Sequence, residues 1–514
     1  MKECSQMQPL NQSIKEVDLP AQVTYEYQEH LPEKIIQFGE GNFIRGFVDW
    51  MVHEMNKQGL FNGKVVAIQP TPHGKVVPKL KAQDGLYTLA LRGIENGEVV
   101  KSNEIISSIS RGINPYKDWD QVLRLAESTD LEFMFSNTTE AGLTYLKEDY
   151  DSSKSPLSFP GKVTAFLYHR YQVLEAKPDA GLVLIPCELV EGNGDVLKEL
   201  VLRYAREWNL PVEFTNWLEE HNQFCNSLVD RIVTGYPKDS IDEYHQLLGY
   251  EDILLTAGEP YHMFAIDAGE DVANRLPFHK AGLNVKWGDV TPYRELKVRL
   301  LNGPHTMMFA VCYLSGVDTV LEAMEDETLS EFVRTGMTEE IFPTVRMDTE
   351  EKRSFVDSVL ERFLNPYNKH FLADIGMNAV YKFKSRLIPT LVDYVELNQK
   401  LPRSIVFSLA ALISYYRADR VEGDFLIGKR GTDEYTIRDN QEAIATFTKV
   451  WNTFDGSEAG MKELVTEVLE EVELWGMNLN KVEGLNEMLV TYTSNIMQFG
   501  MKESLKKLTE TATK

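Results

Sequence analysis

Lys34-Ile-Ile-Gln-Phe-Gly-Glu-Gly-Asn-Phe-Ile-Arg-Gly-Phe-Val-Asp-Trp50 is the stretch that decides the fold of this chain. Lys34 to Phe38 is a short apolar run of strand length. Gly39-Glu40-Gly41-Asn42 interrupts it, and Phe43, Ile44, Phe47, Trp50, Met51 and Met55 then recur at helical spacing. A strand, a glycine turn and a helix in that order present backbone N–H groups and the positive end of a helix dipole to a pyrophosphate. Gly39 and Gly41 take the first two positions of a G-x-G-x-x-G pattern, with Asn42 and Phe43 opening the helix; Ile44 stands where the third glycine belongs and Gly46 comes two residues later. On these residues alone a turn without a ligand fits equally well. Arg45 can neutralise a phosphate or simply lie on the surface.

Working outward, Lys64-Val-Val-Ala-Ile-Gln69, Glu132-Phe-Met-Phe-Ser136 and Gly181-Leu-Val-Leu-Ile-Pro186 repeat the theme of a short buried run, a polar loop and a helix pattern. Strands alternating with helices predict a parallel α/β sheet. An acid is expected at the end of the second strand to bind the adenosine ribose. This chain has Ile68-Gln69-Pro70-Thr71 instead: Gln69 can hydrogen-bond a hydroxyl, and His73 and Lys75 can attract a 2′-phosphate, so the residues leave NAD and NADP both open. Beyond about residue 290 the pattern turns helical, over 327–342, 349–364, 376–398, 402–417 and 459–474. The expected organisation is a polar arm (1–30), an α/β Rossmann-type dinucleotide-binding domain (31–290) and a mostly α-helical substrate domain (291–514), whose tail from Lys502 is expected to fray or lie on the surface.

With 514 residues the chain is too long for one core. No apolar run reaches the roughly 18 residues of a membrane span, and the polar N-terminus lacks the apolar segment of a signal peptide, which predicts a cytosolic protein. A formal charge of −25, from 78 acidic and 53 basic residues, repels phosphate backbones and argues against nucleic acid. The same field means that an acidic substrate would need lysines and arginines gathered at the site. Cys4, Cys187, Cys225 and Cys312 are scattered without a CxxC pair, so free thiols and no metal are expected.

Lys297-Val-Arg-Leu-Leu-Asn302-Gly-Pro-His305 carries the chemistry. On an ideal helix these three polar residues fall within about 140° of arc, even if Gly303-Pro304 kinks it. Carbonyl reduction needs a proton donor, a stabiliser of the developing alkoxide and a group that orients the substrate. Lysine suits the first because desolvation lowers its pKa, asparagine the second and histidine the third. A helix with a solvated lysine and a satisfied histidine is the bland alternative. Tyr293 and Lys297 also form a YxxxK pair, but it lies outside the nucleotide-binding region and no TGxxxGxG turn accompanies it, so the short-chain dehydrogenase reading fails.

QFGEGNFIRGFVDW (37–50), QDGLYTLALRG (83–93), SNTTEAG (136–142), IPCELVEGNG (185–194), NSLVDRIVTGYP (226–237), KVRLLNGPH (297–305) and RFLNPYNKH (362–370) together resemble the mannitol dehydrogenase family of polyol-specific long-chain dehydrogenases, from about Pro32 to beyond residue 420. FGEGNF, SNTTEAG and PCEL point to its uronate branch. The resemblance implies a metal-independent, NAD-dependent monomer. It places the general acid/base on Lys297, oxyanion contacts on Asn302 and Asn193, and substrate contacts on His305, Asp230 and Lys382. The arginine that precedes this lysine by eight residues in hexitol enzymes is Asp374 here. Lys382, Lys384, Arg386 and His370 are the candidates for a substrate carboxylate; Lys382 and Arg386 share a helix face. Thr138 and Glu140 follow a strand and are expected at the nicotinamide, or else as loop caps. The implied reaction is hydride transfer between NAD(H) and the pair D-tagaturonate and D-altronate. Fructuronate reduction, hexitol oxidation and a nucleotide-sensing protein of the same fold are the alternatives.

Overall fold

Ile35 and Ile36 point to opposite faces of strand β1 (Glu33–Phe38), and both are fully buried. Ile35 packs with Val65, Phe133, Phe135 and Ile185, whereas Ile36 and Phe38 pack with Val66, Ile68, Met134 and Leu184. Both faces of the sheet are therefore covered, which is why its strands read as unbroken apolar runs. The computed structural model describes residues 7–26 and 30–510. β1 pairs in parallel with β2 (Lys64–Ile68), and β3 (Ile109–Ile113) lies beyond it. On the other side come β4 (Phe133–Ser136), β5 (Val183–Pro186) and β6 (Gln223–Phe224). The order β6-β5-β4-β1-β2-β3 is parallel throughout and is that of a doubly wound dinucleotide-binding sheet, with its switch point between β1 and β4.

Besides a two-stranded ladder, two smaller sheets belong to the same unit. One has five strands, including the hairpin Tyr87–Glu95 and Glu98–Ile106; the other has three, beginning with Ser227–Asp230. The expected arm is folded into this unit. Gln8–Pro9 pairs with Tyr250–Glu251, and Leu10, Ile14 and Val23 are buried with Leu86, Ile105 and Leu255. Sparse apolar residues in a polar stretch hid that role; residues 1–6 and 27–29 lie outside the described part.

The chain divides into compact units at Met1–Thr291 and Pro292–Lys514. The second is helical. It includes α1 (Thr291–Lys297), α2 (Gly303–Leu314), α3 (Thr349–Phe363) and α4 (Ala379–Arg386). α2 is buried from Gly303 to Cys312 and lies beside Arg403–Tyr415, itself almost wholly buried; Phe309 meets Tyr415 edge-on at 4.8 Å. Helices apolar all round belong in a core. The stretch 376–398 is two helices, because Pro389 in the first turn of Ile388–Asn398 lacks the N–H that would continue α4. Ala418–Glu422, Phe425–Arg430 and Asp433–Ile437 form an antiparallel meander within the helical unit. Of the tail expected to fray or lie on the surface, the described part is a helix, Met501–Glu510, that buries Met501, Leu505 and Leu508, and residues 511–514 lie outside the described residues. Among the described residues no helix is long and apolar enough to cross a membrane.

Candidate functional site

The glycine turn sits where β1 and β4 end together. Gly39, at φ +128°, donates its N–H to Ile68 O, and a Cβ there would stand 2.7 Å from Asn137 O, so a side chain is excluded by backbone on the neighbouring turn. Gly41 is exposed, with nothing within 4 Å of its Cβ position, and no side chain caps the helix that starts at Asn42. Those uncapped N–H groups suit a pyrophosphate. Phe43 stacks on Phe47 at 5.2 Å, and Ile44 is core. The packing role of the third glycine falls on Gly46, whose Cβ position lies 3.2 Å from Val233 methyls. The turn thus fits a dinucleotide despite its irregular spacing.

Arg45, expected either at a phosphate or on the surface, is turned into the protein. It is 2% exposed, binds Glu40 O and Leu254 O, and reaches Asn42 Oδ1 at 2.8 Å and Thr256 Oγ1 at 3.1 Å. A charge so deeply buried is held by the groups around it, and here it ties the π turn Arg45–Asp49 to the second sheet. Within that turn Asp49 is fully buried; its Oδ2 accepts from Gln37 at 3.2 Å, and burial pushes its carboxyl up to about 7. Gln69 is buried too, donating to Thr71 O while its Oε1 has no partner. Thr138 is committed to the loop: its N–H and hydroxyl both donate to Glu188 Oε1, at 2.8 and 2.9 Å. Glu140 is exposed on the short turn Glu140–Gly142.

Asn193 departs from expectation. It is 1% exposed; its Nδ2 donates to Pro186 O, Glu188 O and Ser227 O, and its Oδ1 accepts from the N–H groups of Gly194 and Ser227. With its donors on backbone carbonyls, it is a strut between the loop after β5 and the strand Ser227–Asp230, where an oxyanion contact was expected. Asp230 is buried at the end of that strand.

In the second unit, half-buried Lys297 closes α1 and the backbone passes through a π turn, Val298–Asn302, before α2. Gly303 N–H bonds Val298 O, five residues back. This re-routing accommodates Pro304, which cannot donate to Leu300 and would crowd its carbonyl in a regular α-helix. It also brings residues five apart nearly over one another, so Lys297 and Asn302 lie closer in azimuth than the about 140° of an α-helix.

His305, one turn on, is 8% exposed with Nε2 unpartnered; its ring meets Phe363 at 4.5 Å and His370 at 4.6 Å. Burial first, then the charges of the surrounding basic residues, hold its pKa well below the usual imidazole range. His370 is lowered for the same leading reason. Both rings are consequently neutral at pH 7, able to donate one hydrogen bond and accept another. Lys382 and Arg386, one turn apart on α4, supply the charge. Lys382 Nζ donates to Ile375 O at 2.9 Å and Asp374 O at 3.4 Å, and Arg386 donates to Thr306 Oγ1 at 3.1 Å. Burial depresses the pKa of both, and for Lys382 the next cause is Arg386 itself.

Sequence reasoning missed Arg362, the first residue of RFLNPYNKH. It is 8% exposed, and its charge bears on both histidines. Lys384 is not part of this group. Two residues from Lys382 it faces away, and its Nζ donates to Glu473 O at 2.8 Å. Among the described residues no cluster of His, Cys, Asp or Glu is arranged for a metal, and Cys187, Cys225 and Cys312 are buried free thiols.

Comparison with known proteins matches residues 33–280 to the mannitol dehydrogenase Rossmann domain and residues 289–497 to the mannitol dehydrogenase C-terminal domain. The chain is 55% identical to an altronate oxidoreductase of Halalkalibacterium halodurans over 475 residues, covering 92% of this chain and 93% of the relative. It is 43% identical to an altronate oxidoreductase of Bacillus subtilis over 500 residues, covering 97% and 98%. In fold it is similar to a substrate-free D-sorbitol dehydrogenase (TM-score 0.79, 21% identity, 97% of this chain and all of the other). It is also similar to Pseudomonas fluorescens mannitol 2-dehydrogenase in a ternary complex with NAD and D-mannitol (TM-score 0.67, 19% identity, 98% of this chain and all of the other).

Proposed function

The chain belongs to the mannitol dehydrogenase family, and on that footing we propose that it is an NAD-dependent oxidoreductase interconverting D-tagaturonate and D-altronate. NADH, when bound along the Gly39–Gly41 turn, supplies the hydride that reduces the ketone. Lys297 gives the proton to the carbonyl oxygen as it becomes a hydroxyl, and takes it back in the oxidation of altronate. The Asn302 amide stabilises the developing alkoxide, and neutral His305 orients the substrate.

One observation carries the choice of a sugar acid. Lys382 and Arg386 are cations held side by side, both disfavoured by burial and the first also by the second. A carboxylate relieves both costs, whereas the terminal hydroxyl of a hexitol relieves neither. Asp374, standing where hexitol enzymes carry an arginine, speaks against a hexitol, although its charge also acts on Lys382. The 55% and 43% identical relatives, both altronate oxidoreductases over nearly their full lengths, support the choice of a sugar acid independently. The test is the oxidative direction: D-altronate and NAD should yield D-tagaturonate and NADH in equal amounts. Oxidation of D-mannonate or of mannitol in preference to D-altronate would overturn the assignment.

A further inference from the structure

The acid that binds an adenosine ribose usually stands at the tip of the second strand, and here that position is Gln69. Its neighbour across the strand ends is Glu40, the residue between the two glycines, which is 6% exposed. Gly74 packs over both: a Cβ there would lie 2.6 Å from Gln69 Cδ and 2.9 Å from Glu40 Oε1, so the amide and the carboxylate share one small space. An acid at position 69 would set two carboxylates against each other in that space, a costly arrangement. The neutral amide removes the repulsion and leaves Glu40 as the one acid in that space; burial pushes its carboxyl up to about 7, so it carries its charge above that pH. Gln69 is itself fixed, with Nε2 on Thr71 O at 2.7 Å, and its buried Oε1 is an acceptor still without a donor.

We propose that Glu40 is the residue that selects NAD over NADP, accepting hydrogen bonds from the adenosine ribose hydroxyls and repelling a 2′-phosphate. This rests on the dinucleotide reading of the Gly39–Gly41 turn. The acid has moved from the end of β2 to the turn after β1. Arg45, the cation of that turn, is buried and spends Nη1 and Nη2 on Glu40 O, Asn42, Leu254 and Thr256, with its charge acting on Glu40 itself. His73 and Lys75, both exposed beside Gly74, are the competing attraction for such a phosphate.

Calorimetric titration of the full chain with NADH, NADPH, AMP and 2′,5′-ADP, at a pH well above 7 where Glu40 is ionised, tests this without any turnover. Wild type should bind NADH more tightly than NADPH, and AMP more tightly than 2′,5′-ADP. Glu40→Gln, nearly the same shape without the charge, should weaken NADH and AMP about tenfold or more, the usual worth of a hydrogen bond to a charged group. The same change should leave the phosphorylated pair unchanged or tighter. Glu40→Ala should shift both ratios in the same direction. Ratios unmoved in folded Glu40 variants, or set instead by His73→Ala and Lys75→Ala, would overturn the assignment to Glu40 while leaving NAD binding intact. Wild-type protein that binds neither dinucleotide would remove the dinucleotide reading itself.

Discussion

Lys382→Met removes one charge from the pair on α4 while keeping the length and apolar stem of the side chain. Its consequence for catalysis can be worked from the contacts. The ammonium holds two carbonyls, Ile375 O and Asp374 O, at the end of a short helix. The side chain is half-buried, so water replaces it there and the cost to folding is small. A substrate carboxylate has no such substitute. A hydrogen bond to a charged group is worth about 1.5–3 kcal/mol, or roughly 10- to 150-fold in kcat/KM. D-Tagatose, which carries a hydroxymethyl group in place of the carboxylate, loses only a neutral contact, worth about 1 kcal/mol. The ratio of kcat/KM for D-tagaturonate over D-tagatose should therefore fall by about 0.5–2 kcal/mol, roughly 2- to 30-fold, in Lys382→Met, and Lys382→Arg should recover part of it. Arg386→Met should lower the ratio too, with an added loss of kcat because Arg386 also anchors Thr306 beside Asn302 and His305. Steady-state NADH oxidation on the two substrates measures both effects. Unchanged ratios in folded Lys382→Met and Arg386→Met enzymes would place the carboxylate elsewhere and refute the reasoning.

Lys297→Ala should lower kcat by about 10² to 10⁴-fold, with NADH affinity retained and one ionisation lost from the pH–rate profile; Asn302→Ala should also slow turnover but keep that ionisation. A Lys297→Ala enzyme with near-normal turnover would return Tyr293 to consideration as the acid. Asp49, raised from 3.8 to about 7 by burial, binds a proton in the folded state that the unfolded chain releases above about pH 4. Stability contributed at this site is consequently highest at low pH and declines as pH rises through about 7. Asp49→Asn should match wild type near pH 4 and exceed it by roughly 4 kcal/mol at pH 8, read by urea unfolding of the full chain at the two pH values; equal stability at both would show that Asp49 is not held protonated. Exhaustive chelation should leave turnover intact, since every proposed step uses Lys297 and amides; activity lost and regained only with zinc would contradict that.

The parallel sheet was legible because its strands are buried on both faces and therefore read as continuous apolar runs. The helical unit was legible from its period. The meander at 418–437 was missed although Gly423-Asp424 and Gly431-Thr432 are two-residue loops of hairpin type, a signal outweighed by the long helices around it. Within the site, Lys382 and Arg386 were readable as a pair because i and i+4 share a helix face, and the same rule would have set Lys384 aside. The surroundings of Arg45 and Asn193 were not legible for one reason. Both are polar residues at turns, where a ligand and the protein's own backbone are equally plausible partners, and only the three-dimensional neighbourhood shows that Leu254 O and Ser227 O take their donors. The π turn at Val298–Asn302 was likewise invisible, since a proline after a glycine reads as a kink rather than as a widened helix.

The most direct test of the account compares initial rates of NADH oxidation by the purified enzyme with D-tagaturonate, D-fructuronate and D-fructose. D-Tagaturonate should give the highest kcat/KM, with D-altronate as the product, and neutral D-fructose the lowest. A preference for D-fructuronate would contradict the substrate assignment, and a preference for D-fructose would contradict the carboxylate-binding role of Lys382 and Arg386 on which the assignment rests.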